Sequence, residues 1–563
     1  MTDRRRLVIV FVVDGLRPDC ITREDTPTLH RLRAEGVDFA ASHAVVPTVT
    51  RVNAATLATG AQPGTSGLLG NQVYLPGVDA SRALDTGNHR NLLALDQATG
   101  GRLLLVPTLG ERLHARGRRL VAVSSGSTGS ALLLNPRAVA GVGAVVNGSF
   151  DPGKAVAYPA AVSEAILAKI GPAPPRPAGG ARYDASVTWA ERVLREYVLP
   201  ELTPDVVINW LTEPDPSQHH VGVGSPESRA ALRHDDAEIA RVLESLEDLG
   251  LADRTDVLVA SDHGFSTNTG GVDVTRALVE AGLKAAPGSA DVILASSGQA
   301  VALHVRDRDG ERIARIARFV QSRDWGGVVF SAGRAPGEAN GVAPGTFALD
   351  LIHAASAERG ADLLITFPWT SAPNVHGVPG TDLACVSGGA RLYASDHGSL
   401  SPWNVRNTLF AWGPGFKQAT TVPVAAGNVD VTPTILTLLG LDGDAGAGLD
   451  GRVLAEALVN GPDPEQVAQE TRVHTWRPAA IAPRCRSPPW PAAATSTRPG
   501  APPERPRAGR VSPRAAPRSR DAARDDGAAV RCAAGCSGCA RSRRAGGPSP
   551  PWRTRSRSGA PRR

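Results

Sequence analysis

At 563 residues, 42% of them hydrophobic, the chain is long enough for a large core and apolar enough to be globular, which excludes a fibrous or wholly disordered protein. Its net charge of +6 conceals two opposed parts: from Thr471 onward 21 arginines face 4 acids, whereas the preceding 470 residues carry 40 bases and 51 acids. The body is therefore acidic, so the positive total is no sign of a nucleic-acid partner, and no apolar run is long enough to span a bilayer.

The first element is the run L-V-I-V-F-V-V (Leu7–Val13), which leads into Asp14-Gly15. Basic residues ahead of it imitate a secretory leader. The run is short, rich in β-branched residues and ends in an acid with no small-residue cleavage site after it, so it reads as a buried parallel strand. Further along, three more runs end in polar residues of metal-binding type. Residues 205–211 lead into T-E-P-D-P-S-Q-H-H, residues 256–260 into Ser261-Asp262-His263-Gly264, and residues 391–394 into Ser395-Asp396-His397-Gly398. Helical patterns separate the runs, which predicts a mainly parallel α/β sheet with its ligand site beyond the carboxyl ends of the strands. One such helix starts at Ser225-Pro226-Glu227, carries apolar residues at 239, 242, 243 and 246, and closes at Gly250.

Residues 287–345 read as a smaller inserted α+β unit, with strands at 300–305 and 327–330 and a helix at 312–320. The catalytic body is then 1–286 and 346–460, ending in a helical pattern at 428–441 and a short helix at 451–458. Only Cys20 and Cys385 fall in this body, which fits a reducing, cytoplasmic setting. Residues 478–563 are different. They contain no Leu, Phe, Met, Tyr or Lys, and cannot bury enough apolar surface to offset an ordering cost of about 1–2 kcal/mol per residue. Disorder is expected there, whether as an ordinary tail, a basic arm or an out-of-frame translation of GC-rich coding sequence. Cys532, Cys536 and Cys539 lack a fourth ligand for a metal site.

Four pieces carry chemistry. Asp14 directly follows an unbroken apolar run, where a carboxylate is costly unless paired or metal-bound; it could also simply cap a turn. Asp215 and His219 stand four apart after a strand and can meet one cation, although the flanking prolines also suit a plain turn. Asp262-His263 at a strand end can both turn to one ion if the chain bends at Gly264. In V-P-T-V-T-R-V-N (residues 46–53), Thr48 and Thr50 stand at a helix start, where free N–H groups and the helix dipole favour an alkoxide and a phosphate; a simple N-cap is the alternative.

Together, an early strand-end Asp, P-T-x-T-x-x-N, D-x-x-x-H, D-H-G and a late H-G resemble the type I phosphodiesterase and nucleotide pyrophosphatase family of the alkaline phosphatase superfamily, over roughly residues 5–460. The resemblance implies an alkaline-phosphatase-like three-layer α/β/α sandwich and a two-metal hydrolase of phosphodiester or nucleotide pyrophosphate bonds. It implies that Asp14, Thr50, Asp262 and His263 hold one divalent ion and that Asp215, His219 and His397 hold the other. Zinc suits such an Asp/His set, and manganese or iron also fit. Thr50 matches the nucleophile that becomes a phosphothreonine. Asn53 matches an asparagine that binds a phosphoryl oxygen, with the backbone N–H of Arg51 as a second donor. His397 is preferred over His376 because residues 397–416 resemble the closing segment of the family, and His220 reads as a bystander. The implied partner is a small phosphoester, with neither nucleic acid nor membrane involved and no indication of oligomeric state. Ser66 departs from the family, which often has His there, and the C-x-P-x-R motif of the sulfatase branch is absent. Two alternatives stay open: a phosphonoacetate-hydrolase-like C–P hydrolase on the same site, and a non-catalytic or damaged family member.

Overall fold

The structure, a computed structural model, describes residues 6–151, 153–335, 337–441, 448–475 and 529–534. Its centre is a sheet built from β1 (Leu7–Val13), β2 (Val37–Phe39), β3 (Leu120–Ser124), β4 (Ala144–Asp151), β5 (Ala155–Tyr158), β6 (Val206–Leu211), β7 (Thr255–Ala260), β8 (Leu409–Trp412) and β9 (Thr420–Val422). Their order across the sheet is β9-β2-β8-β7-β1-β6-β3-β4-β5. The middle five, β7 to β4, are mutually parallel, and antiparallel β8 and β5 flank them.

Every residue of β1 is buried because both faces of the sheet are covered. Val8, Val10 and Val12 face helices Thr50–Thr59, Thr128–Leu134 and Val431–Leu438. Leu7, Ile9, Phe11 and Val13 face helices Pro27–Glu35, Asp184–Val193 and Pro226–Asp248. This alternation makes the three-layer α/β/α sandwich read from the sequence. The last of these helices starts as expected, with the Ser225 hydroxyl accepting from the Ser228 N–H at 3.2 Å.

A second, five-stranded sheet contains Val292–Ser297, Ala300–Val305, Leu363–Thr366, Val329–Ser331 and Phe347–Ala348 in spatial order, with helix Gly310–Gln321 against it. It thus takes two strands from beyond residue 345. The run at 391–394 is not a strand of the central sheet. Ser395–Asp396 instead pairs with Ser266–Val272 in a separate four-stranded sheet, completed by Thr370–Pro373 and Pro379–Cys385. That small sheet brings His397 to the rim where β1, β6 and β7 end. Of the tail, only Ala529–Ala534 is described, as a strand antiparallel to Glu470–Thr475; the expectation of disorder over the rest of 478–563, and the three tail cysteines other than Cys532, lie outside the described residues. No helix among the described residues is long and apolar enough to cross a membrane.

Candidate active site

Three neighbouring strands deliver the acids. Asp14 follows β1, Asp262 follows β7, and the chain leaving β6 enters a short helix, Asp215–Val221, that sets Asp215 and His219 one turn apart on the same face. Gly15, at φ +72°, turns the chain after Asp14 where a Cβ would strike the Phe265 ring, and its N–H is donated to Asp262 Oδ1 at 3.0 Å. Gly264 is needed for room rather than for a special turn, since a Cβ there would overlap the Trp403 carbonyl.

The three imidazoles share one arrangement. His263 Nδ1–H is donated to Gly264 O at 2.9 Å, His219 Nδ1–H to Ser395 O at 3.0 Å and His397 Nδ1–H to Thr48 O at 3.0 Å. Each Nε2 is thereby turned towards the carboxylates. A backbone carbonyl fixing the far nitrogen is how metal-ligating histidines are commonly oriented. The rings of His263 and His397 stack at 3.6 Å, and Phe265, fully buried, meets the rings of His219, His263 and His397 at 5.0, 5.8 and 5.2 Å.

The ligand atoms form two groups, Asp215/His219/His397 and Asp14/Asp215/His263, within each of which they lie no more than 4.8 Å apart. Asp215 Oδ1 stands 3.3 Å from His219 Nε2 and 3.4 Å from His397 Nε2. His263 Nε2 stands 3.0 Å from Asp262 Oδ2 and 3.7 Å from Asp14 Oδ1. One oxygen each of Asp14, Asp215 and Asp262 is buried without a hydrogen-bond partner. Such orphaned carboxylate oxygens beside oriented imidazoles fit divalent cations in both donor type and charge. Burial, then the nearby Asp262 and Asp215 charges, push the Asp14 carboxyl well above its usual range. Burial works against the charges of Asp215 and His219 too. It is outweighed at Asp215 by His219 and His397, which hold it well below its usual range, and at His219 by Asp215 and Asp396, which raise it to about 9.

Thr50 opens helix Thr50–Thr59, and its Oγ1 lies 3.3 Å from His263 Nε2. Thr48 is committed elsewhere, donating to Ser399 O at 2.8 Å and accepting from the Gly398 N–H at 3.1 Å. Asn53 is not at a phosphoryl position. It is fully enclosed, its Oδ1 accepting from Val45 N and Asn428 Nδ2 and its Nδ2 donating to Val49 O. Asn428 also donates to Ser261 O and Asp262 O, so Asn53 braces the helix against the Asp262 turn. The Arg51 N–H is likewise engaged, by Asn71 Oδ1 at 3.1 Å. Asn71 itself, which no sequence motif singled out, shares with Thr50 a cleft of about 760 Å³ that also holds Asp215, His219 and His397. His376 is exposed on a loop, and Ser66 is buried and hydrogen-bonded to Pro63 O.

The profile of the family described as type I phosphodiesterase / nucleotide pyrophosphatase matches residues 8–326. A venom phosphodiesterase of Crotalus durissus collilineatus is 25% identical over 264 residues, covering 46% of this chain and 26% of the relative. Human ectonucleotide pyrophosphatase/phosphodiesterase family member 7 is 36% identical over 63 residues, covering 11% of this chain and 14% of the relative. The matches thus span about a quarter or less of these relatives. Among solved structures, murine ectonucleotide pyrophosphatase/phosphodiesterase 5, inactive and in complex with AMP, aligns with a TM-score of 0.53 at 16% identity, over 78% of this chain and 96% of its own. At that identity the likeness shows the fold.

Proposed function

Because the chain belongs to the type I phosphodiesterase / nucleotide pyrophosphatase family, we propose that it hydrolyses phosphodiester or nucleotide pyrophosphate bonds through a phosphothreonine formed on Thr50. The observation that carries this reading is the Thr50 hydroxyl, held at a helix N-terminus 3.3 Å from His263 Nε2 and facing carboxylates with unpartnered oxygens.

Asp14, Asp262 and His263, with Thr50, would hold one divalent cation, and Asp215, His219 and His397 the other; zinc is the ion we favour. Such ions lower the pKa of a bound hydroxyl or water and carry charge that develops on phosphoryl and leaving oxygens. The rest falls to the side chains. The dipole of helix Thr50–Thr59 favours the Thr50 alkoxide and the phosphate it attacks. Thr50 Oγ1 forms a bond to phosphorus, the bond to the leaving oxygen breaks, and that oxygen departs with the electron pair. Water then attacks the phosphothreonine and frees Thr50. Asn71 holds Arg51 through its Oδ1, and we assign its Nδ2 amide to a phosphoryl oxygen, the role expected of Asn53. The substrate is a small phosphoester. The free thiols of Cys20 and Cys385 support a reducing, cytoplasmic setting.

The test is a panel of a nitrophenyl phosphodiester and nucleotide pyrophosphates with zinc supplied, on the wild type and on Thr50→Ala. Turnover is expected to fall on the order of 10⁴-fold with bound metal per chain unchanged. A variant keeping a tenth of the wild-type rate would refute the covalent route.

A further inference from the structure

Four cations line the cleft beside Thr50, and their partners set one of them apart. Arg82 is paired with Asp79 at 3.0 Å. Lys284 is buried and donates to Val292 O at 2.6 Å. Arg391 is exposed and lies over the Tyr393 ring at 5.5 Å. Arg51 is half-buried, its Nε is shielded from solvent without a hydrogen-bond partner, and it forms no ion pair among the described residues.

The surroundings hold this guanidinium in place. It lies against Gly87, where a Cβ would overlap Nη2, and the φ of Gly87 is not in the left-handed region, so this glycine supplies space for Arg51. Asp85, the acid of the same wall, has its Oδ1 engaged by the Gly87 N–H at 2.9 Å. The Arg51 backbone is pinned by Asn71. A shielded donor without a partner costs stability, and a planar guanidinium fork matches the paired oxygens of a phosphate or carboxylate.

We propose that the Arg51 guanidinium binds a second oxyanion, a phosphate or carboxylate carried by the substrate beyond the phosphorus that Thr50 attacks. The inference rests on Thr50 as nucleophile, because the two residues are consecutive at the start of one helix and line the same cleft, so a substrate with its phosphorus at Thr50 Oγ1 has Arg51 beside it. Substrates with two or more anionic groups are then preferred over singly charged diesters.

The experiment compares kcat/KM for ATP with that for bis(4-nitrophenyl) phosphate, using the full chain with zinc supplied. In Arg51→Gln the ratio of the two is expected to drop at least tenfold, through KM for ATP, and Arg51→Lys should restore part of it. A ratio within twofold of wild type would overturn the proposal. Phosphonoacetate and pyrophosphate as inhibitors of bis(4-nitrophenyl) phosphate turnover distinguish a bound carboxylate from a bound phosphate: the anion whose inhibition weakens in Arg51→Gln is the one bound, and inhibition by both that is unchanged in Arg51→Gln overturns the site. A binding measurement separates this inference from the nucleophile assignment. Thr50→Ala should bind ADP at least fivefold more tightly than AMP, and adding Arg51→Gln should remove the preference. Equal affinity for the two in Thr50→Ala overturns the Arg51 site even if turnover is intact. A retained ADP preference in a chain whose wild type turns over nothing supports the Arg51 site and overturns Thr50 as nucleophile.

Discussion

Both ends of the central sheet bury carboxylates, and the two ends treat them in opposite ways. At the amino end, Asp205, just ahead of β6, meets Arg118 Nη1 at 2.8 Å and the Arg119 N–H at 2.9 Å, and Asp256 in β7 meets Arg6 Nη1 at 2.8 Å and the Gly415 N–H at 2.6 Å. At the carboxyl end, Asp14 and Asp262 face an imidazole and each other, with no arginine or lysine paired to either among the described residues. Burial does not separate the ends, since Asp205 and Asp14 are each 3% exposed and Asp256 and Asp262 each 0%. What differs is the company. An arginine beside a buried acid offsets part of the cost of burying its charge and completes a structural contact, although at Asp256 burial still outweighs Arg6 and the Gly415 N–H and keeps the carboxyl above its ordinary range. Acids grouped with oriented imidazoles and no arginine are short of positive charge, and a divalent ion is the group that supplies it.

The contrast breaks most visibly at Asp14. Asp14→Asn removes a charge that burial and the Asp262 and Asp215 carboxylates all oppose. Turnover is expected to fall about 10³-fold with loss of bound metal, while the metal-free chain holds or gains resistance to urea. A metal-free variant that unfolds more readily than wild type would make Asp14 a structural acid like Asp256.

How much of this was legible follows from how local each signal is. Asp14, Asp215, His219, Asp262 and His263 stand at strand ends or one helix turn beyond, so an apolar run followed by an acid reveals them. His397 stands in its H-G motif, but its setting is not local: Ser395–Asp396 pairs with Ser266–Val272 in a separate small sheet instead of extending a strand of the central one. For Asn53, helical geometry and not spacing decides the direction: three residues past Thr50 it points into the seam with Asn428. Asn71 had no signal, being brought to Thr50 by a loop held through the Arg51 N–H. Phe265, the ring that packs three histidines, could have been suspected from D-H-G-F, since a buried aromatic directly after a ligand pair has few other places to go.

Between the two ends lies a third kind of buried acid, which sharpens the comparison with a smaller effect. Glu191 accepts from Asn209 Nδ2 through both oxygens, at 2.8 and 2.7 Å, and forms no ion pair among the described residues. Burial first, then the Glu238 charge, raise its carboxyl to about 8 from an ordinary 4.5, against the pull of Asn209 and Arg195. A carboxyl raised in the folded state binds its proton more tightly there than in the unfolded chain. Its contribution is therefore complete below pH 4.5 and is lost as pH climbs to about 8. Glu191→Gln should flatten that decline and stabilise the chain at pH 8.5 by on the order of 2–4 kcal/mol. Urea unfolding at pH 5.5 and 8.5 measures it, and an equal decline in both proteins would show that Glu191 is charged in the fold.

The smallest effect belongs at the amino end. Arg118 is 26% exposed, so water screens its pairing with Asp205 and part of the Coulomb gain is already lost. Asp205 also keeps the Arg119 N–H when Arg118 is truncated, so the buried carboxylate is not left bare. Arg118→Ala should therefore cost about 1–2 kcal/mol in urea unfolding, well short of the penalty for a stranded buried charge. Turnover per folded chain should stay within twofold of wild type, because β6 still carries its carboxyl end to Asp215 through six residues paired with β1 on one side. A loss of metal or of turnover beyond that range would mean that the two ends of the sheet are coupled, and that the arginine pairs help to set the spacing of the carboxylates at the far rim.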